Sequence, residues 1–244
     1  MISTFKQYWM HYLFYAFILI IAIFTFFHFR QSTYQVENKD KLPMFKGRGY
    51  CQIDADYTEP VLYPDFIDDT QANAILNLAK PLFAESTVVT GSDTNIRKSQ
   101  TAWLDKNDHV IGTVIKRVCD ITNIPFENAE KMQVVKYEPN GFYIDHFDAS
   151  CDDRKECVEF EKNGGQRVVT MIIYLNDDFT GGTTRFKNLQ TEFQPVKNNG
   201  LLFYSLQKDG DKCHPLSLHS GMPVKTGEKY IANIWLRERP YKTV

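Results

Sequence analysis

Residues 137–148 read Tyr137-Glu-Pro-Asn-Gly-Phe-Tyr-Ile-Asp-His-Phe-Asp148. Pro139, Asn140 and Gly141 make a turn signal, because Gly and Asn tolerate positive φ and Pro fixes its own. Residues 143–148 behind the turn have the look of a strand. Side chains two apart on a strand point the same way, which puts His146 and Asp148 on one face. An imidazole beside a carboxylate supplies two of the three ligands of a 2-His-1-carboxylate facial triad, the donor set of non-haem Fe(II) oxygenases. An isolated H-x-D is more often structural than metal-binding, so a third ligand is required from elsewhere.

The chain has 6 His. His11 and His28 belong to an apolar N-terminal run, His109 sits at a helix start, and His214 beside Pro215 reads as a loop residue. His219 lies near the end of a short strand, followed by a Gly/Pro turn. Further on, Lys229 opens the last strand, with Asn233 and Trp235 on its face by alternation. A keto acid that chelates a metal through its keto oxygen and C1 carboxylate leaves its far carboxylate in a desolvated pocket. An unpaired charge there is costly, and Lys229 can supply the matching cation. H-x-D, then His, then Lys, in that order, lifts the metal reading above the structural one.

With 244 residues, 43% apolar and 24% charged, the chain suits one globular domain with a full core. The net charge of −2 gives no reason to expect nucleic acid. Residues 9–29 carry no Asp, Glu, Lys or Arg, and as a helix they span about 30 Å, the thickness of a bilayer core. Its end, Thr25-Phe-Phe-His-Phe-Arg30, lacks the small residues of a signal-peptide cleavage site. A retained single-pass anchor is the expectation. Lys6 precedes the run, whereas Arg30, Lys39, Lys41, Lys46 and Arg48 follow it, a bias that favours a cytoplasmic C-terminal domain. No glycosylation sequon occurs. Of the 5 Cys, Cys151 and Cys157 flank a charged loop and can pair in an oxidising compartment; Cys51, Cys119 and Cys213 complete the odd set. No C-x-x-C pair suggests zinc.

The spacing predicts a linker over 31–57, a first strand within 57–66, and a helix capped by Asp68, Asp69 or Thr70 with Ala74, Ile75, Leu78, Ala79 and Leu82 on its apolar face. A second helix is expected over about 108–121. Residues 89–101 read as a polar loop. Strands are expected at 131–137, 143–148, 166–175, 191–196, 200–206, 216–220 and 229–237, the third central because both its faces are apolar. Two helices followed by many short strands imply an α+β arrangement: helices packed on one side of a jelly roll.

Several stretches together carry a family resemblance: RKSQTAW at 97–103, PFENAEKMQVVKY at 125–137, EPNGFYIDHFD at 138–148, GGQRVVTMIIYLND at 164–177, GGTTRF at 181–186 and SLHSGMPVKTGEKYIANIWLRE at 217–238. Across them the chain resembles the prolyl 4-hydroxylases of the Fe(II)/2-oxoglutarate dioxygenases. With the anchor expected at 1–30 and the linker at 31–57, the resemblance implies a double-stranded β-helix in the domain at 58–244. It implies Fe(II) held by His146, Asp148 and His219 as the catalytic centre, with Lys229 on the 2-oxoglutarate C5 carboxylate. Tyr137 and Thr184 are further cosubstrate contacts, and Arg97, Ser99, Tyr143, Arg167 and Trp235 line a peptide groove. The loops at 89–101 and 149–165 are its expected lids. The implied reaction consumes O₂ and 2-oxoglutarate, converts a peptidyl proline of a proline-rich substrate to 4-hydroxyproline, releases succinate and CO₂, and draws on ascorbate. Retention of Asp148 favours hydroxylation over halogenation. The family usually works in the secretory pathway, which implies an endoplasmic reticulum membrane protein with a lumenal catalytic domain, opposite to the charge bias. Thr183, Met222 and Tyr230 depart from the family's usual acidic residue, Cys and Trp. The rival readings are the same oxygenase chemistry on another residue or small molecule, and a membrane-tethered proline-peptide binder without turnover.

Overall fold

The computed structural model describes residues 57–87, 93–150, 155–208 and 212–242. The expected anchor and nearly all of the linker lie outside these residues. Among the described residues, no helix is long and apolar enough to cross a membrane. In chain order the strands are β1 (Val61–Tyr63), β2 (Ala84–Glu85), β3 (Arg97–Lys98), β4 (Gln100–Leu104), β5 (Met132–Tyr137), β6 (Phe142–His146), β7 (Arg167–Tyr174), β8 (Thr180–Gly181), β9 (Thr184–Phe186), β10 (Thr191–Phe193), β11 (Gly200–Tyr204), β12 (His219–Gly221), β13 (Val224–Thr226) and β14 (Lys229–Arg237). The helices are α1 (Asp69–Ala79), α2 (His109–Thr122) and α3 (Lys155–Lys162).

One sheet runs β1-β11-β7-β14-β5-β4-β2 and the second β10-β9-β12-β6-β3, with β8 and β13 forming a small ribbon. From β5 onward the chain passes back and forth between the two sheets, with β9 and β10 a hairpin within the second, and every pairing is antiparallel. That is the arrangement of a double-stranded β-helix.

Period-2 alternation gives the large sheet two different faces. Met132, Val134, Val169, Met171, Ile173, Ala232, Ile234 and Leu236 point outward into a core shared with α1 and α2. Val135, Tyr137, Ile172, Tyr174 and Ile231 point inward, where they meet Phe186 and Phe203. Because both faces are covered, β7 reads as a continuous apolar run, and it does lie centrally, between β11 and β14. Both long helices pack on the outer side of this sheet.

Their ends follow from local chemistry. Asp68 accepts from the Gln71 N–H at 2.7 Å while Gln71 reaches back to the Asp68 N–H, a capping box. The Asp108 carboxylate accepts from the Val110 and Ile111 N–H groups at 2.9 and 3.2 Å, and α2 stops at Asn123 in the left-handed region. Ile111, Val114, Ile115 and Val118 of α2 are wholly buried, each such side chain contributing about 2 kcal/mol.

Four expectations need correction. Within the loop expected over 89–101, residues 97–98 and 100–101 are strand, the latter the start of β4, because β6 and β5 offer them distant pairing partners. Residues 155–162 form α3 within the expected loop. The strand predicted over 143–148 stops at His146, and a 3₁₀ turn at Pro215–Ser217 precedes β12.

Candidate metal centre

His146 and His219 face each other across β6 and β12. The register of that pair shifts between His219 and Gly221, so that Ser220 opposes two residues of β6. Such a bulge re-aims side chains. It lets Tyr143 and His146, three apart, face the same interior, where their rings stack at 3.6 Å. Asp148 lies beyond the strand end, and its carboxylate is steered by the Thr170 hydroxyl of β7, which donates to Oδ2 at 2.7 Å.

One donor atom from each of His146, Asp148 and His219 lies within 4.8 Å of the others. His146 Nε2 is 3.7 Å from Asp148 Oδ1, and His219 Nε2 is 3.7 Å from Asp148 Oδ2. Each imidazole donates its Nδ1–H to a backbone carbonyl, His146 to Ile144 at 2.8 Å and His219 to Ser217 at 3.0 Å. Those bonds select the tautomer whose Nε2 lone pair points inward, as a metal ligand requires. Burial, the largest influence on Asp148, pushes its carboxyl up, yet the two imidazoles, Arg167 and Thr170 together hold it below the usual carboxylate range. Burial and then His219 push the His146 imidazole down against the pull of Asp148. A carboxylate and imidazole nitrogens with open positions suit Fe(II).

The triad opens on a cavity of about 670 Å³. At its deep end stands Lys229, 2% exposed, opposite Tyr137 in register. Its ammonium donates to the Gly182 carbonyl at 2.6 Å and lies 5.5 and 5.8 Å from the ring centres of Tyr137 and Tyr174. No carboxylate pairs with it among the described residues, and burial lowers its pKa to about 7. A buried ammonium without a counter-charge fits the far carboxylate of a dianionic ligand. Thr184, which accepts from the Tyr174 hydroxyl at 2.9 Å, also lines this end.

Towards the mouth, Arg97 lies 4.9 Å above the Tyr143 ring and Arg167 3.6 Å above the Trp235 ring. All four side chains line the cavity. Ser99 does not; its hydroxyl accepts from Arg97 Nε at 2.8 Å and so holds the guanidinium from behind. Sequence reasoning missed Glu130, whose carboxylate accepts from Arg167 at 2.6 and 2.8 Å and from Arg237 at 2.7 Å. Arg237 in turn donates to the Phe160 and Gly165 carbonyls at 2.8 and 2.6 Å, tying α3 to the sheet. Gln133 and Thr170 were missed as well. Alternation along β5 would have found Gln133, whereas nothing local marks Glu130 or Thr170.

Comparison with known proteins agrees with this geometry. Residues 132–237 match the model of the 2OG-Fe(II) oxygenase superfamily. A protein of Acanthamoeba polyphaga mimivirus named "Putative prolyl 4-hydroxylase" is 44% identical over 192 residues, which is 79% of each chain. Prolyl 4-hydroxylase 5 of Arabidopsis thaliana is 31% identical over 81% of this chain and 75% of its own. Among solved structures, the viral collagen prolyl hydroxylase of Paramecium Bursaria Chlorella virus-1, in its 2-oxoglutarate complex, superposes with a TM-score of 0.61 at 29% identity, covering 76% of this chain and 98% of that one. The fold and the triad thus define an Fe(II)- and 2-oxoglutarate-dependent dioxygenase. Within that class the chain belongs to the prolyl 4-hydroxylase family.

Proposed function

We propose that the protein hydroxylates peptidyl proline at C4, consuming O₂ and 2-oxoglutarate and releasing succinate and CO₂. The observation that carries the reading is Lys229: a buried ammonium with no carboxylate partner among the described residues, in the same cavity as two inward-facing imidazoles and a carboxylate. His146, Asp148 and His219 hold the iron, which when bound supplies the redox chemistry that couples decarboxylation of the keto acid to hydroxylation of a C–H bond.

The chain's own side chains bind, orient and exclude water. Lys229 pairs with the C5 carboxylate, with Tyr137 and Thr184 beside it. Tyr143, Trp235, Arg97 and Arg167 bound the space where a proline ring would lie. Aromatic walls suit the extended polyproline II conformation of proline-rich peptides. Family membership supports proline over other targets. Ascorbate is the expected reductant that keeps the iron ferrous.

The apolar run at 9–29 supports a single-pass anchor, and the disulfide-bonded state of Cys213 favours an oxidising, lumenal setting for the domain. Protease protection in intact microsomes tests that orientation: digestion of the domain without detergent would overturn it.

The function is tested with the purified protein, Fe(II), 2-oxoglutarate, ascorbate and Ser-Pro or Pro-Pro-Gly peptides. A product heavier by one oxygen, located to proline by fragmentation, is expected. Succinate release with no modified proline in any peptide would sink the prolyl assignment and keep the oxygenase. Full succinate production by His146→Ala would sink the metal assignment.

A further inference from the structure

The middle of the large sheet's inner face is apolar apart from one pair. Gln133 of β5 and Asn233 of β14 stand in register, the Asn233 amide donates to Gln133 Oε1 at 3.0 Å, and both line the cavity. Their neighbours on this face are Val135, Ile172 and Ile231. A primary amide carries two donors and a carbonyl acceptor, and burying it in an apolar layer is costly unless those groups are used. The single bond uses one N–H of Asn233. No described residue accepts from its other N–H or from the Gln133 amide nitrogen, the Gln133 nitrogen is not sealed from the cavity, and both side chains line it. These donors therefore face the space that a ligand fills.

The ladder says which ligand. Lys229, Ile231, Asn233 and Trp235 alternate along one face of β14. Trp235 is opposite Thr170, whose hydroxyl holds the triad's Asp148. Asn233 is thus one inward step from the row that bears the metal ligand and two from Lys229. A dianion with one end on Lys229 and the other at the triad has its triad end beside the amides.

We propose that the Gln133–Asn233 amide pair is a third anchor for the cosubstrate, donating to the C1 carboxylate of its 2-oxo acid end. The inference rests on Lys229 holding the opposite carboxylate. Uncharged donors suit this end, because the metal already compensates the carboxylate's charge, whereas the far end has no metal and takes a lysine. The Gln133 carbonyl fixes the Asn233 amide in one orientation, so neither side chain is free to turn its oxygen towards the anion.

The test uses the full chain loaded with Mn(II), without O₂, and two probes. The first is 2-oxoglutarate; the second is pyruvate, which carries the 2-oxo acid end alone. Asn233→Leu and Gln133→Leu keep each side chain's approximate volume and remove its donors. Each is expected to raise the Kd of both probes about tenfold, the loss of a hydrogen bond to a charged group, while Lys229→Met raises the Kd of 2-oxoglutarate only. Thermal midpoints check the fold, and if Gln133→Leu fails to fold, Gln133→Met carries the same measurement in a more adaptable side chain. Wild-type affinity of the variants for both probes would overturn the proposal, as would a defect confined to the peptide KM, which would give the amides to the peptide. Failure of the unsubstituted protein to bind 2-oxoglutarate would instead overturn the cosubstrate reading of Lys229.

Discussion

Thr170 donates to Asp148, and its hydroxyl decides which way the carboxylate faces. Thr170→Val keeps the shape and removes the donor. Partners of this kind are worth about 10–100-fold in metal affinity, and that weakening is expected in Fe(II) titrations with the fold intact. Lys229 makes a different prediction, about protons. Burial lowers its pKa to about 7, so at pH 8 the empty site is mostly neutral. An arriving carboxylate favours the charged form, and the protein must take up a proton as the cosubstrate binds. Calorimetric titration at pH 8 in phosphate and in Tris is expected to show an uptake approaching one proton, shrinking towards pH 6. Uncorrected enthalpies that are equal in the two buffers at pH 8 would contradict it.

At the scale of elements, Glu130 joins three of them. It precedes β5, grips Arg167 of β7 and Arg237 of β14, and through Arg237 holds α3. Burial, the largest influence, pushes the Glu130 carboxyl up, but the charges and hydrogen bonds of the two arginines more than reverse it. A carboxyl depressed in the folded state stabilises the fold above its unfolded pKa of about 4.3, and that contribution is lost as pH falls through the folded value. Glu130→Gln leaves the buried Arg237 and the partly buried Arg167 guanidinium groups without their counter-ion. The expected cost at pH 7 is about 3 kcal/mol, read from urea unfolding, and the gap to the unsubstituted protein is expected to narrow below about pH 4. A cost that did not change with pH would assign the loss to packing alone. The bulge between β6 and β12 is an element-scale device of another kind: a regular strand would turn Tyr143 away from His146 and dismantle the stacked wall of the site.

At the scale of the molecule, two cores meet at one sheet. The outer core joins both long helices to the sheet, and the inner one fills the space between the sheets. All the described residues in these cores lie between Leu62 and Leu236. A chain begun at Tyr57 keeps every described residue of both cores and of the cavity, and it is therefore expected to fold by itself and to bind 2-oxoglutarate within about twofold of the full chain's Kd. Aggregation of that fragment, or a broad non-cooperative melt, would show that residues 1–56 contribute to the core.

How much of this was legible in the sequence depended on whether a signal was local. A first cap among Asp68, Asp69 and Thr70, a second helix from about residue 108, the two-faced apolar run of β7 and the turn at 139–141 are local patterns, and the structure has each of them, with Asp68 as the cap. The order H-x-D, His, Lys is a one-dimensional trace of the site, strong because the chemistry tolerates few substitutes for those residue types. Strands β3 and β4 escaped because their polar residues take strand form only when β6 and β5 supply the hydrogen-bonding partners. The pairing of His146 with Asp148 was expected from alternation along a continuous strand; the structure brings them together by a bulge, a strand end and a hydroxyl from β7. Glu130 and Thr170 carry no sequence mark, and alternation puts Gln133 and Asn233 on strand faces without showing that they meet, since the meaning of all four lies in partners many residues away. The sequence by itself determined the ligand types, the alternation and the turns that permit a double-stranded β-helix. Only the tertiary structure decided which side chains share one desolvated cavity, because burial and charge pairing exist only once distant strands are brought into register.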